Sequence, residues 1–338
     1  MRRPRVPGVG VFVSMARVAV ILLCAEAHAT DIEAPHAQGH GTAASCRDCH
    51  EDIWDAWRDS RHAASFTNPL FQLSIKEARR RDWCLSCHLP REVQRDQLRE
   101  VGLSGAAGTL IADGVDCHTC HVDHGTLKTR GTPSVEALSV HKVVSDAELG
   151  ASSFCGRCHQ FEGPGEHPPY EIGGDPLQDT YAEWQRTGSE QTCQDCHMPQ
   201  GRHSFSGGHD VALVRRALDI DIARDHDELV LTLQTTDAVA HKVPTGDPFR
   251  RLRISLCEDE ACTRPVWVRH LGVAHEHRDG ILRVTHDTRL TPGVPWQART
   301  TPPANAAYWQ VALMYGELHL TPKVPLAEQR GIVAAGPL

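Results

Sequence analysis

The sequence predicts an α+β chain, with a loop-rich region of short helical turns followed by a C-terminal β-sandwich. Three observations predict it. Short cysteine–histidine motifs recur between residues 46 and 197, and segments of alternating apolar and polar residues follow from about Val211. Aromatic residues make up only 5% of 338 residues although 40% are hydrophobic, so something other than protein must supply flat apolar mass to the first region.

The N-terminus comes first. Arg2, Arg3, Arg5 and Arg17 precede an apolar run from Val18 to Leu23, and Ala27-His28-Ala29 reads as a small-residue cleavage site before Thr30. Residues 1–29 are therefore expected to be a signal peptide. The run is too short to span a bilayer, and no other stretch approaches that length. A lipoprotein signal through Cys24 is opposed by the bulky Leu23 before it. Removing the segment takes away four Arg and one Glu, which leaves the mature chain near −11 from a full-length −8. An acidic, exported chain with no transmembrane segment is expected in the periplasm, and its charge excludes a general nucleic-acid binder.

Ten of the 13 cysteines form five copies of one pattern. These are Cys46-Arg47-Asp48-Cys49-His50, Cys84-Leu85-Ser86-Cys87-His88, Cys117-His118-Thr119-Cys120-His121, Cys155-Gly156-Arg157-Cys158-His159 and Cys193-Gln194-Asp195-Cys196-His197. Cysteines three apart share one side of a helical turn, where both can form thioethers with one porphyrin while the adjacent His points at the iron. Chance would produce about 0.03 such motifs in a chain of this composition. Zinc would need a fourth ligand per site, and a redox dithiol occurs once. Five covalently bound c-type haems are expected, with His50, His88, His121, His159 and His197 as proximal ligands. The motif starts lie 38, 33, 38 and 38 residues apart. A segment so short cannot build its own core, so the porphyrins must stack to form one.

Each iron needs a sixth ligand if it only transfers electrons, whereas an open iron binds substrate. His62 follows the first motif on an expected helix carrying Trp54 and Trp57, two residues that can pack on porphyrin. His141 has no local signature. His203 and His209 flank Gly207 and Gly208, which allow close approach to a flat cofactor. His241 lies in a tight turn, Ala240 to Gly246. Competitors are His118 inside the third motif, His124 after it, His36 and His40 near the N-terminus, and His167 in a Pro/Gly-rich loop. His275 and His277 read as solvated strand residues, while His226, His270, His286 and His319 carry no local signal. Met198 reads as packing.

Several strings resemble the bacterial multihaem cytochromes related to cytochrome c-554. They are Gly114-Val115-Asp116 leading into the third motif, Phe154 to Phe161 around the fourth, Thr180-Tyr181-Ala182-Glu183-Trp184 before the fifth, His203 to Asp210, and His241 to Thr245. The resemblance spans about Cys46 to Gly246. It implies a mostly helical, loop-rich pentahaem module with closely packed haems and mainly bis-His iron. It also implies His62, His141, His203, His209 and His241 as distal ligands, without saying which serves which haem. Pentahaem nitrite reductases are similar in haem number but bind their catalytic haem through a motif ending in Lys, and all five motifs here end in His.

Beyond the motifs, Asp227 to Gln234, Leu252 to Leu256, Val266 to Val268 and Trp309 to Leu313 alternate as half-buried strands, with Pro/Gly-rich stretches between them. Val211 to Ala223 is expected to be a linking helix. Cys257 and Cys262 flank a short hairpin turn and are expected to form a disulfide in an exported chain. The expected division is a signal peptide at 1–29, a haem module at 30–210, and a linking helix with β-sandwich at 211–338. No nucleophile motif or phosphate loop is present. The expected function is electron transfer between redox protein partners rather than catalysis. The alternatives are a multihaem oxidoreductase of nitrogen or sulfur compounds with one open iron, and a docking module that wires a partner enzyme.

Overall fold

Every Cys-x-x-Cys-His motif in the computed structural model coincides with a short helix. The structure describes residues 41–78, 81–103, 110–164, 172–315 and 330–338, so the expected signal peptide and His36, His40, His167 and His319 lie outside the described residues. Helix Ala44–Arg47 begins the first motif, with His50 just beyond it. Helices Arg81–His88, Cys117–His121, Ser152–His159 and Cys193–His197 each end on the motif histidine. Two of these starts are capped by side chains. Asp116 accepts from the Thr119 amide at 2.9 Å, and Thr192 with Asp195 forms a capping box.

Helices Glu51–Arg58, Pro69–Glu77 and Glu92–Val101 connect the first three motifs. They bury two small apolar clusters. Phe66, Ile75, Leu85, Leu89, Leu98 and Ile111 form one, and Ala43, Trp57 and Ala63 the other. His62 is not on the expected helix. That helix stops at Arg58, and His62 sits in the turn after it, where Val115 donates its amide to the His62 carbonyl at 3.0 Å.

Strands β1 (Val122–Asp123), β2 (Thr126–Thr129) and β3 (Val143–Ser145) make a small sheet beside the third motif. Strands β4 (Phe161–Pro164) and β5 (Ile172–Gln178) follow the fourth motif. The C-terminal part contributes β6 (Leu218–Asp225), β7 (Glu228–Thr235), β8 (Arg250–Cys257), β9 (Pro265–Leu271), β10 (Val273–Arg278), β11 (Ile281–Asp287), β12 (Trp296–Thr300), β13 (Tyr308–Tyr315) and β14 (Arg330–Pro337).

Sheet β12-β7-β6 and sheet β14-β13-β8-β9 bury one shared core, as a sandwich does. Period-two alternation aims Leu229, Leu231 and Leu233 of β7 and Leu252, Ile254 and Leu256 of β8 into it. A third sheet, ordered β10-β11-β5-β4, joins the haem-motif region to the C-terminal strands through a parallel pairing of Leu282 with Gly174. Cys257 and Cys262 are joined by a disulfide. The α+β class is as expected, but the linking helix is shorter. It spans only Val211–Arg216, and Leu218, Ile220 and Ile222 alternate with Asp219 and Asp221 as β6. Strand period overrides helix propensity there because β6 pairs with β7 along its whole length.

Candidate haem centre

The ten motif cysteines are free of disulfides. Thiols of different motifs lie within hydrogen-bonding reach of each other. Cys46 is pulled down to about 7 by its bond to Cys117, against burial. Cys87 falls to about 6 beside Cys158, and Cys193 to about 6 beside Cys155. In each pair the partner thiol is pushed up, first by the same bond and then by burial. Burial raises Cys120 to about 11. The first motif therefore adjoins the third, and the fourth adjoins both the second and the fifth.

The histidines are paired across the motifs. His50 and His141 have ring centres 6.5 Å apart and planes 20° apart. His159 faces His62 at 6.3 Å, His121 faces His203 at 6.0 Å, and His197 faces His241 at 6.1 Å. Metal–imidazole bonds of about 2 Å on either side of one ion hold two ring centres roughly 6 Å apart. Four pairs of motif and non-motif histidines thus stand at the spacing of axial ligands to one iron.

Hydrogen bonds decide which ring nitrogen is free. Nδ1 lies 2.7 Å from the Ser65 carbonyl in His88, 2.9 Å from that of Lys128 in His121, and 2.5 Å from that of Ser206 in His197. The same holds for His203 with Gly201 at 2.8 Å and His241 with Lys242 at 2.9 Å. A carbonyl only accepts, so Nδ1 carries the proton and Nε2 keeps a bare lone pair for metal. The Lys128 carbonyl is supplied by β2, whose hairpin folds back over its own motif.

Burial favours the neutral, metal-binding form of several histidines at the site. It holds His62 at about 3, with further lowering by His159 and His209. His209 falls to about 4, by burial first and then by Arg61. Burial also lowers His88, His159, His203 and His241. Ile53, Val140 and Val144, close in the chain to His50 and His141, are exposed apolar side chains. A porphyrin fits this setting of opposed imidazoles and paired motif thiols.

His209 is the exception among the expected distal ligands. It makes no ring contact with His88, which instead stacks on Phe71 with centres 3.8 Å apart and planes 8° apart. His118 is buried against Asp116, with Nδ1 3.8 Å from its carboxylate. His124 is exposed beside Asp123, and His275 contacts the Pro176 carbonyl at 3.3 Å. Trp57 is buried in protein and donates Nε1 to the Val115 carbonyl at 2.9 Å. Trp54 carries the guanidinium groups of Arg47 and Arg58 over its ring.

Other residues at the site carried no functional signal in the sequence. Phe205 packs 4.2 Å from His62 and 5.8 Å from His203, between two pairs. Gly114 presses on the His62 turn with φ +58°. Glu183 reaches the His241 loop. Only the wider Gly114-Val115-Asp116 and Thr180 to Trp184 strings pointed toward these two.

Comparison with known proteins agrees with this geometry. A family model described as outer membrane cytochrome MtrC/MtrF-like, domains II/IV, matches residues 21–210. A penta-heme cytochrome c552 from Thermochromatium tepidum superposes with a TM-score of 0.67 at 21% identity, over 89% of this chain and 99% of that one. That likeness concerns the fold. No curated protein matches the chain. With opposed imidazoles at its motifs and more than half of its length matched, this chain belongs to the MtrC/MtrF-like family of bacterial multihaem c-type cytochromes, electron-transfer proteins whose haems are covalently bound.

Proposed function

We propose that the protein is a periplasmic pentahaem cytochrome that carries electrons between redox protein partners through mainly bis-His haems. The observation that carries this reading is the set of opposed histidine rings, two pairs of which, His121 with His203 and His197 with His241, have their Nδ1 edges tied to backbone carbonyls. Bound haems supply one-electron exchange at iron. The chain does the rest. Cys46 and Cys49, Cys84 and Cys87, Cys117 and Cys120, Cys155 and Cys158, and Cys193 and Cys196 would hold five haems by thioethers. His50, His88, His121, His159 and His197 would ligate iron on one side. On the other side His141, His62, His203 and His241 would serve the first, fourth, third and fifth motifs, and His209 is left for His88. Two imidazoles at an iron would leave no position there for a small molecule, which favours electron transfer over catalysis. Contact between cysteines of neighbouring motifs keeps the haems close enough for exchange. Residues 1–29 would direct export, and among the described residues no helix is long and apolar enough to cross a membrane. Residues 30–210 would form the haem unit and 211–338 the sandwich unit.

One observation favours a second reading. Among the described residues His88 stacks on Phe71 and faces no histidine ring, so the second motif would be the place for an open iron and for chemistry on a nitrogen or sulfur compound. Two measurements test the pair of readings. Mass spectrometry of the mature protein is expected to find five haems on a chain beginning near Thr30, and four or fewer would refute the five-site assignment. Electron paramagnetic resonance of the oxidised protein is expected to be low-spin throughout and unmoved by cyanide. A cyanide-sensitive high-spin signal from about one haem in five would put the second reading in place of the first.

A further inference from the structure

We propose that Glu183 is a positioning residue for the axial ligand His241, clamping the ligand loop between the helix Thr180–Thr187 and the end of β11. The inference rests on the reading of His241 as an iron ligand.

His241 lies 44 residues past the last motif histidine, in a loop that belongs to neither sheet of the sandwich. A ligand so remote is held in place by whatever fixes its loop. Glu183 has a side chain only 2% exposed. Its Oε2 accepts from the Thr245 hydroxyl at 2.7 Å and from the Lys242 amide at 3.3 Å. These two donors bracket the Val243–Pro244 peptide. Thr180, one turn earlier on the same helix, places its hydroxyl 2.9 Å from that of Thr245.

The far side of the loop is tied to the β-region. Val243 and Leu290 exchange backbone hydrogen bonds at 2.9 Å. The Lys242 ammonium donates to Asp287 at 2.8 Å, and Arg289 grips Asp287 with Nε at 2.9 Å and Nη2 at 2.7 Å. Arg289 also places Nη1 2.7 Å from Glu183 Oε1, which closes the ring from helix to loop to strand. One buried carboxylate thus faces two donors of the ligand loop and a guanidinium from the strand end. A buried carboxylate is costly unless it is paired and hydrogen-bonded, and here every partner constrains His241. The loop's own bond from His241 Nδ1 to the Lys242 carbonyl then aims Nε2 at His197.

The test uses the holoprotein. Glu183→Ala removes the acceptor of both loop donors, and the oxidised spectrum is expected to lose the low-spin signal of about one haem in five to a high-spin one. Glu183→Gln keeps an acceptor for Lys242 and Thr245 and is expected to restore low-spin iron. A merely structural role would lower the melting temperature of Glu183→Ala while leaving its spectrum like that of the unmodified protein, and that result overturns the proposal. If Glu183→Ala does not accumulate with haem, Thr245→Val carries the same test, with partial conversion to high-spin expected and an unchanged spectrum overturning it. His241→Ala separates the two levels. If it produces a high-spin haem and Glu183→Ala does not, the clamp fails alone. If His241→Ala itself leaves the spectrum unchanged, the ligand assignment fails and the clamp falls with it.

Discussion

Gly114 is a residue whose absent side chain matters. Its φ of +58° lies in the left-handed region, and a Cβ there would stand 2.4 Å from Ser65 Oγ and 2.7 Å from the carbonyls of His62 and Ala63. Strained backbone and overpacking together give Gly114→Ala an expected cost of about 2–4 kcal/mol. The carbonyl in the way belongs to His62, so one haem is also expected to turn high-spin. Denaturant unfolding with resonance spectra checks both, and a neutral substitution would remove the claim that this glycine seats the His62 turn. Asp287 is a charge whose effect depends on pH. Burial raises its carboxyl, but hydrogen bonds from Arg289 and Lys242 outweigh burial and hold it well below the usual range. The unfolded chain therefore binds this proton at a higher pH than the folded one. The stabilisation is complete above about pH 4 and is lost as the pH falls below it. Asp287→Asn is expected to cost roughly 1–2 kcal/mol at neutral pH and to flatten the acid limb of stability against pH. An acid limb as steep as before would mean that other carboxylates carry it.

At the scale of elements, the motif helices are too short to hold themselves, and buried polar contacts tie them to their neighbours. Arg91 precedes the helix Glu92–Val101 and pairs with Asp116, the cap of the third motif, with side chains 9% and 0% exposed. Arg91 also donates to the Gly41 carbonyl at 3.1 Å, and Asp113 accepts from the Ala43 amide at 2.9 Å. Gln94 donates to the carbonyls of Leu110 and Gly114 at 3.0 and 2.8 Å. These contacts lock the first motif to the third. Arg91→Ala leaves a buried carboxylate unpaired and is expected to cost about 3–5 kcal/mol. Arg91→Met combined with Asp116→Asn is expected to cost clearly less, because no charge is stranded. Unfolding midpoints of the two variants decide it, and equal losses would mean that the pair is not energetically coupled.

Across the whole molecule, the two regions differ in how much core they own. The sandwich buries a continuous cluster running from Val214 to Val333. Among the described residues the motif region has two small clusters, around Phe66 and Trp57. Chain expressed without haem attachment is therefore expected to keep protease-resistant strands from about residue 218 onward and to be cut readily between residues 41 and 210. Limited proteolysis followed by mass spectrometry reads this out. Resistance of the motif region without haem would show that protein contacts alone sustain it.

The five Cys-x-x-Cys-His motifs were legible at once, because thioether attachment and iron ligation demand residues close together in the chain. The strands β7, β8, β9 and β13 were legible for a similar reason, since their period-two pattern is local. The start of β6 was not, because its pairing with β7 overrode a helical reading of Val211 to Ala223. The distal partners were only partly visible. His203 lies close to a motif, but it faces His121 rather than the nearer His197, and His141 and His241 carried little local evidence. Sequence by itself determined the cofactor chemistry, the family and the α+β class. Only the tertiary structure decided which histidine stands opposite which, that β5 pairs with β11, and that Glu183 reaches the His241 loop. Such pairings join residues far apart in the chain, and they are set by packing and by where buried hydrogen bonds can close.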